Sequence, residues 1–109
     1  MRLLVVGSRN IESFDLSKYI NKEVSLIISG GAKGIDTLAE KYADKHGISK
    51  LILRPNYNLY GKSAPLLRNK QMVEICDSVL IVWDGKSNGT KYTIEYAKKR
   101  GKDFRLVTL

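Results

Sequence analysis

Four short segments hold the residues best able to do chemistry. Gly7-Ser8-Arg9 is the first, and Ser29-Gly30-Gly31-Ala32-Lys33-Gly34, followed by Asp36, is the second. Lys62, Arg68 and Asn69 form the third, and Asp84, Ser87, Gly89 and Thr90 the fourth. Glycines between a strand and a helix let backbone N–H groups approach an anion, and the helix start adds partial positive charge. An arginine such as Arg68 can grip phosphate bidentately or stabilise charge developing on a leaving base. Its plainer alternative is a surface salt bridge with Asp77 or Asp84. Two carboxylates accompany these loops as candidate catalytic groups. Asp36, in a first helical turn, is equally explained by the helix dipole; Asp84, directly after a strand, also suits a ribose hydroxyl. Neither glycine loop reads G-x-G-x-x-G, and no Gly-Lys-Ser/Thr opens a helix, which argues against P-loop ATP hydrolysis.

The elements that must position these residues follow from the hydrophobic pattern. Leu3 to Val6 is a continuous apolar run, as in a central parallel strand covered on both faces. Ser13 is placed to cap a short helix carrying Leu16, Tyr19 and Ile20 inward. Val24 to Ile28 forms a second strand. Ile35, Leu38, Ala39, Tyr42, Ala43 and His46 then make one stripe of a helix that Gly47 ends. Ile48 to Leu53 reads as a third strand and Arg54 to Ser63 as a loop, after which Pro65 fits the first turn of a helix reaching about Cys76. Val79 to Trp83 is the fourth strand, Asp84 to Gly89 a turn, Thr90 to Arg100 a helix stopped by Gly101, and Phe104 to Leu109 the fifth strand.

A βα pattern repeated four times and closed by a strand predicts a single α/β domain over residues 1–109, a Rossmann-like three-layer α/β/α arrangement around a parallel sheet. Lys50, Arg105 and Thr108 interrupt the third and fifth strands, which suits edges and gives the order 3-2-1-4-5. All four candidate segments then meet at the carboxyl edge, near the switch point between the first and fourth strands, where open sheets bind ligands.

Composition narrows the classes further. The apolar run after Met1-Arg2 is too short for a signal-peptide core or a bilayer span, so a cytoplasmic protein with no membrane partner is expected. A single cysteine, Cys76, rules out an internal disulfide framework and offers no metal cluster; no metal and no cofactor are expected. His46 at a helix end, Cys76 on an apolar helix face and Met72 one turn beyond Arg68 all read as structural. Trp83 reads as core rather than ligand platform, whereas Tyr57 and Tyr60 suit stacking on a base as well as covering an apolar edge. The net charge of +8 invites an anionic partner, although Lys98, Lys99 and Arg100 close a helix where cations complement the dipole.

Taken in order, Gly7-Ser8-Arg9, Ser29-Gly30-Gly31-Ala32-Lys33-Gly34-Ile35-Asp36, Arg68-Asn69-x-x-Met72, Asp77 and Ser87-x-Gly89-Thr90 resemble the SLOG superfamily, most closely its small YspA-like branch, across essentially the whole chain. The superfamily is similar to LOG-type phosphoribohydrolases and includes the Rossmann core of DNA-processing proteins. The resemblance implies a nucleotide-related ligand, with Gly30, Gly31 and Gly34 in a first phosphate loop, Gly89 and Thr90 in a second, and Arg68 at the position of an active-site arginine. It also implies assembly into a homo-oligomer, in keeping with a small chain that leaves one side of its crevice uncovered. One departure stands out. The hydrolase relatives carry G-T-x-x-E, whereas Thr93 stands here where the glutamate would be. Glu95 lies about 200° further round the helix and should face away.

Three functions compete on these grounds. The first is a sensor or carrier that binds a nucleotide or nucleotide-derived phosphorylated small molecule. The second is a nucleotide N-glycosidase using Arg68 with Asp84 or Asp36. The third is a single-stranded nucleic-acid module presenting Lys62, Arg68 and Lys70, which the absence of any familiar nucleic-acid-binding motif disfavours.

Overall fold

The structure, a computed structural model, describes residues 1–109. Its five strands are β1 (Arg2–Gly7), β2 (Leu26–Ser29), β3 (Ser49–Ile52), β4 (Ser78–Trp83) and β5 (Asp103–Thr108). They form one parallel sheet in the order β3-β2-β1-β4-β5, as the polar interruptions of the outer strands predict. Three twelve-residue helices cover it: α1 (Ile35–His46), α3 (Ala64–Ile75) and α4 (Asn88–Lys99). A single-turn helix, α2 (Tyr57–Tyr60), and a 3-10 turn at Gly61–Ser63 occupy the segment that reads as loop, because the Asn56 side chain accepts from the Leu59 N–H and starts a turn there.

Alternation along β1 explains why the sheet carries a core on each face. Leu3 and Val5 point toward α1, with Ile27, Leu80, Ala39 and Ala43. Leu4 and Val6 point the other way, with Ile28, Ile81, Met72 and Ile94 under α3 and α4. Each such side chain, wholly withdrawn from water, contributes about 1.5–3 kcal/mol. No helix is long and apolar enough to cross a membrane.

The first crossover differs from the expected helix. It contains only one 3-10 turn, Leu16–Lys18, and its cap is Asp15 rather than Ser13: the Asp15 carboxylate accepts from the Ser17 N–H at 3.0 Å. Asn21 likewise accepts from the Glu23 N–H, so side chains compete for the amides at both ends and leave room for a single turn. Leu16 and Ile20 still reach the core. Other boundaries shift by a residue or two: β2 begins at Leu26, β5 begins at Asp103, and α4 begins at Asn88.

Two glycines separate conformational need from steric need. Gly47 ends α1 at φ 66° with open space around it, whereas Gly34, at φ 76°, would place a Cβ 2.7 Å from the Arg9 carbonyl oxygen. Gly34→Ala should therefore cost about 2 kcal/mol or more in urea denaturation, combining the left-handed penalty with a backbone clash, while Gly47→Ala should cost about 1 kcal/mol.

Candidate functional site

The carboxyl ends of β3, β2, β1 and β4 open into one cleft of about 540 Å³, within the range of small-ligand sites. It is lined by Gly7 and Arg9 after β1, by Gly30, Gly31, Ala32 and Asp36 around β2, and by Arg68 and Asn69 from α3. Ser87, Gly89 and Thr90 complete it at the start of α4. The expected convergence at the switch point is thus present for most of the candidates.

The α4 end is shaped by Ser8 and Asp84. Ser8 is fully buried, and its hydroxyl accepts from the Asp84 N–H (2.9 Å) and meets the Ser87 hydroxyl (3.0 Å). The Asp84 carboxylate accepts from the N–H groups of Lys86 (2.8 Å) and Ser87 (2.9 Å) and from the Ser87 hydroxyl. Those bonds hold it down at about 2. Asp84 thus braces its own turn through Oδ1 and does not line the cleft, while its Oδ2 has no partner within the chain. What the turn does is hold Ser87 at the cap of α4. No side chain caps this helix, and the N–H groups of Asn88, Gly89 and Thr90 have no acceptor within the chain. Thr93, 1% exposed, also lines the cleft, its hydroxyl donating to the Gly89 carbonyl at 3.1 Å. Glu95 faces away, into a surface groove with Lys70 and Tyr92.

The glycine loop after β2 works differently from a free anion nest. The Gly31 N–H donates to the Ser29 hydroxyl (3.2 Å), and the Ala32 N–H donates to an Asp36 carboxylate oxygen (3.2 Å). Ser29 in turn donates to Glu40 at 2.7 Å. Internal acceptors thus occupy two amides expected to face a ligand. Ser29 and Gly34 support the loop from behind, Lys33 is exposed, and none of the three lines the cleft. Lys62, exposed in the Gly61–Ser63 turn, is also outside it.

Arg68 holds the middle of the cleft. Its Nη1 donates to the carbonyls of Gly30 and Leu53 and its Nε to the Asn69 side chain at 2.8 Å, leaving Nη2 without an acceptor in the chain. Neither anticipated salt-bridge partner is involved: Asp77 pairs with Arg2 at 3.1 Å, and Asp84 is tied to its turn. Burial pulls the Arg68 guanidinium below its usual value, Asp36 opposing the effect and Arg9 adding to it; the group remains cationic. Asp36 is 5% exposed. Burial pushes its carboxyl up to about 6, against the stabilising Ala32 N–H and the Arg68 charge.

Sequence reasoning missed one cation and an apolar wall. Arg54 lines the cleft with Pro55, Tyr57, Pro65 and Leu66. Arg54 is the second residue beyond β3, so the strand-end rule that singled out the other loops also points to it. Of the two tyrosines weighed for stacking, Tyr57 borders the cleft and Tyr60 does not.

Two outcomes follow from this geometry. A Cβ on Gly30 would lie 2.6 Å from Arg68 Nη1 and 2.9 Å from Asp36 Oδ2, both side-chain atoms. Gly30→Ala should therefore displace Arg68 while leaving the melting temperature within a few degrees of the parent, visible as altered ligand binding without unfolding. Asp36 keeps its proton to about 6 when folded and to 3.8 ordinarily. The folded state thus binds the extra proton between those values, and stability falls as pH rises through that window. Asp36→Asn should stabilise the protein at pH 7 by about 1–3 kcal/mol, with the gain vanishing below pH 4 in urea titrations. No protein-family model, curated protein or solved structure matches the chain, so its function is argued from this cleft.

Proposed function

We propose that the cleft binds a nucleotide or nucleotide-derived phosphorylated ligand, and that the protein acts as a binding domain, a sensor or carrier. The observation that carries this reading is the polarity of the cleft. On one side stand the unoccupied amides of α4 and Arg9, with the open Nη2 of Arg68 in the middle of the cleft. On the other stand Pro55, Tyr57, Pro65 and Leu66, with Tyr57 59% and Leu66 38% exposed. Neither Arg9 nor Arg68 has a carboxylate within ion-pair distance. A phosphate at the helix start is stabilised by donors and dipole together, and a flat base against Tyr57 and Leu66 removes apolar surface from water. The resemblance to the SLOG superfamily supports the same assignment. Binding without cleavage is favoured by Thr93 in place of a carboxylate and by the position of Asp84, which does not line the cleft.

Isothermal titration with adenosine monophosphate at low salt should show a single site. Arg68→Ala should weaken it roughly tenfold or more, as expected for losing a charge-assisted contact worth about 1.5–3 kcal/mol. Gly89 has open space around it, so Gly89→Ala should preserve or raise stability yet weaken binding by crowding the anion. Absence of binding by the parent protein at millimolar nucleotide would overturn the reading.

A second reading has one specific observation in its favour: Asp36, with its raised carboxyl, and Arg68 both border the cleft on either side of Gly30. That arrangement supports nucleotide N-glycosidase chemistry. Release of free base from nucleoside monophosphates, abolished by both Asp36→Asn and Arg68→Ala, would establish it; intact nucleotide after prolonged incubation would exclude it.

A further inference from the structure

We propose that the ligand carries a second anionic group, separated from the first by the bulk of a nucleoside, and that Arg54 is the residue that holds it. This rests on the nucleotide-binding reading above and names a narrower ligand class: nucleotides bearing two phosphoryl groups on opposite sides of a ribose, such as nucleoside 3′,5′-bisphosphates or 5′-phosphorylated dinucleotides.

Arg54 stands at one edge of the sheet. It follows the edge strand β3, whereas the free amides of α4 follow β4, and β2 and β1 lie between. Three strand spacings put these two ends roughly 14 Å apart along the sheet edge. The Arg54 side chain reaches back only over the glycine loop after β2, so it meets a ligand from the opposite part of the cleft to the α4 amides. The Arg54 guanidinium sits over the glycine loop, 3.5 Å from the Gly31 carbonyl oxygen, a long contact and its only hydrogen bond. No carboxylate lies within ion-pair distance of it. Pro55, directly after it, restricts the backbone that presents it.

The cleft as a whole is over-supplied with positive charge for a single phosphate at one end. Arg9, Arg54 and Arg68 come from three separate segments, and the sole carboxylate lining the cleft with them is the buried Asp36. Arg68 already feels the repulsion of Arg9. Cations gathered from separate loops without partners raise the local potential and favour a polyanion. The apolar wall of Pro55 and Tyr57 lies beside Arg54, so the second anion is to be met near the base end and not beside the first phosphate. Arg54 reading acceptors on a purine base, as arginine does with guanine, is the competing use of the same group, and the ligand series below separates the two.

The test is titration calorimetry with adenosine monophosphate, guanosine monophosphate and adenosine 3′,5′-bisphosphate, on the parent protein and on Arg54→Gln and Lys33→Gln. Both substituted side chains are exposed, so the folds should be unaffected, as checked by melting temperature. The bisphosphate is expected to bind at least tenfold more tightly than adenosine monophosphate. Arg54→Gln should erase that advantage, weakening the bisphosphate at least tenfold more than the monophosphate, and Lys33→Gln, removing an equal charge outside the cleft, should preserve it. Equal binding of mono- and bisphosphate would overturn the inference and leave nucleotide binding intact. So would an advantage lost equally in both variants, or an Arg54-dependent preference for guanosine over adenosine monophosphate. Binding of none of the three would overturn the nucleotide reading itself.

Discussion

The buried hydroxyl of Ser8 is the joint on which the ligand-facing edge depends. It lies where β1 and β4 diverge, accepting from the Asp84 backbone and meeting the Ser87 hydroxyl. Ser8 itself is fully buried, so losing both bonds would leave its hydroxyl unsatisfied, at a cost of about 1–3 kcal/mol. Through them the loop after β1 fixes the turn after β4. That turn fixes Ser87, and Ser87 sets where α4 begins. The unoccupied amides at the helix start owe their position to a residue eighty positions earlier in the chain. Gly7, immediately before Ser8, is the complementary constraint: a Cβ there would sit 2.5 Å from Ile35, so α1 could not close against the sheet.

The charge of +8 looks different once each cation is placed. Arg2 clamps Asp77, Lys50 pairs with Asp44, and Arg100 pairs with Glu74. Lys102 donates to the carbonyls of Glu74 and Cys76, closing the end of α3. These exposed pairs contribute little individually, but they show how many cations serve as local fasteners. Arg9, Arg54 and Arg68 are not used in this way with any carboxylate. Net charge alone points to an undefined anionic partner; these three groups bring positive charge without carboxylate partners into one cleft.

Much of the fold was legible because the signals were redundant. Strand order followed from Lys50, Arg105 and Thr108 marking edges, and α1 from six apolar positions at helical spacing closed by Gly47. The errors fell where a short-range hydrogen bond decides the structure. Asp15 and Asn21 reduce the first crossover to one turn, and Asn56 builds α2 within a segment whose Pro, Asn and Gly content reads as loop. Within the site, position along the chain identified Arg9, Arg68, Gly89 and Thr90, because all follow strands or open helices at the same edge. It could not say which amides were free. That Ala32 donates to Asp36, or that Lys86 and Ser87 donate to Asp84 Oδ1, depends on rotamers that no spacing rule reports.

Where the structure departs from ordinary stabilising rules also carries meaning. Elsewhere in the chain, core side chains are apolar, and no buried side-chain polar atom lacks a partner. Along the carboxyl edge the first of those rules relaxes. A carboxylate is buried at Asp36, and the guanidinium groups of Arg9, Arg54 and Arg68 stand without carboxylate partners. Each feature costs stability on its own, and a domain of this size has little to spare. Scattered over the surface they would be unremarkable. Gathered around one cleft, they are what the proposed ligand would offset, with acceptors for the amides and arginines and a flat face for Tyr57. Asp36 meanwhile supplies an internal acceptor for the glycine loop and stands with Arg68 beside Gly30.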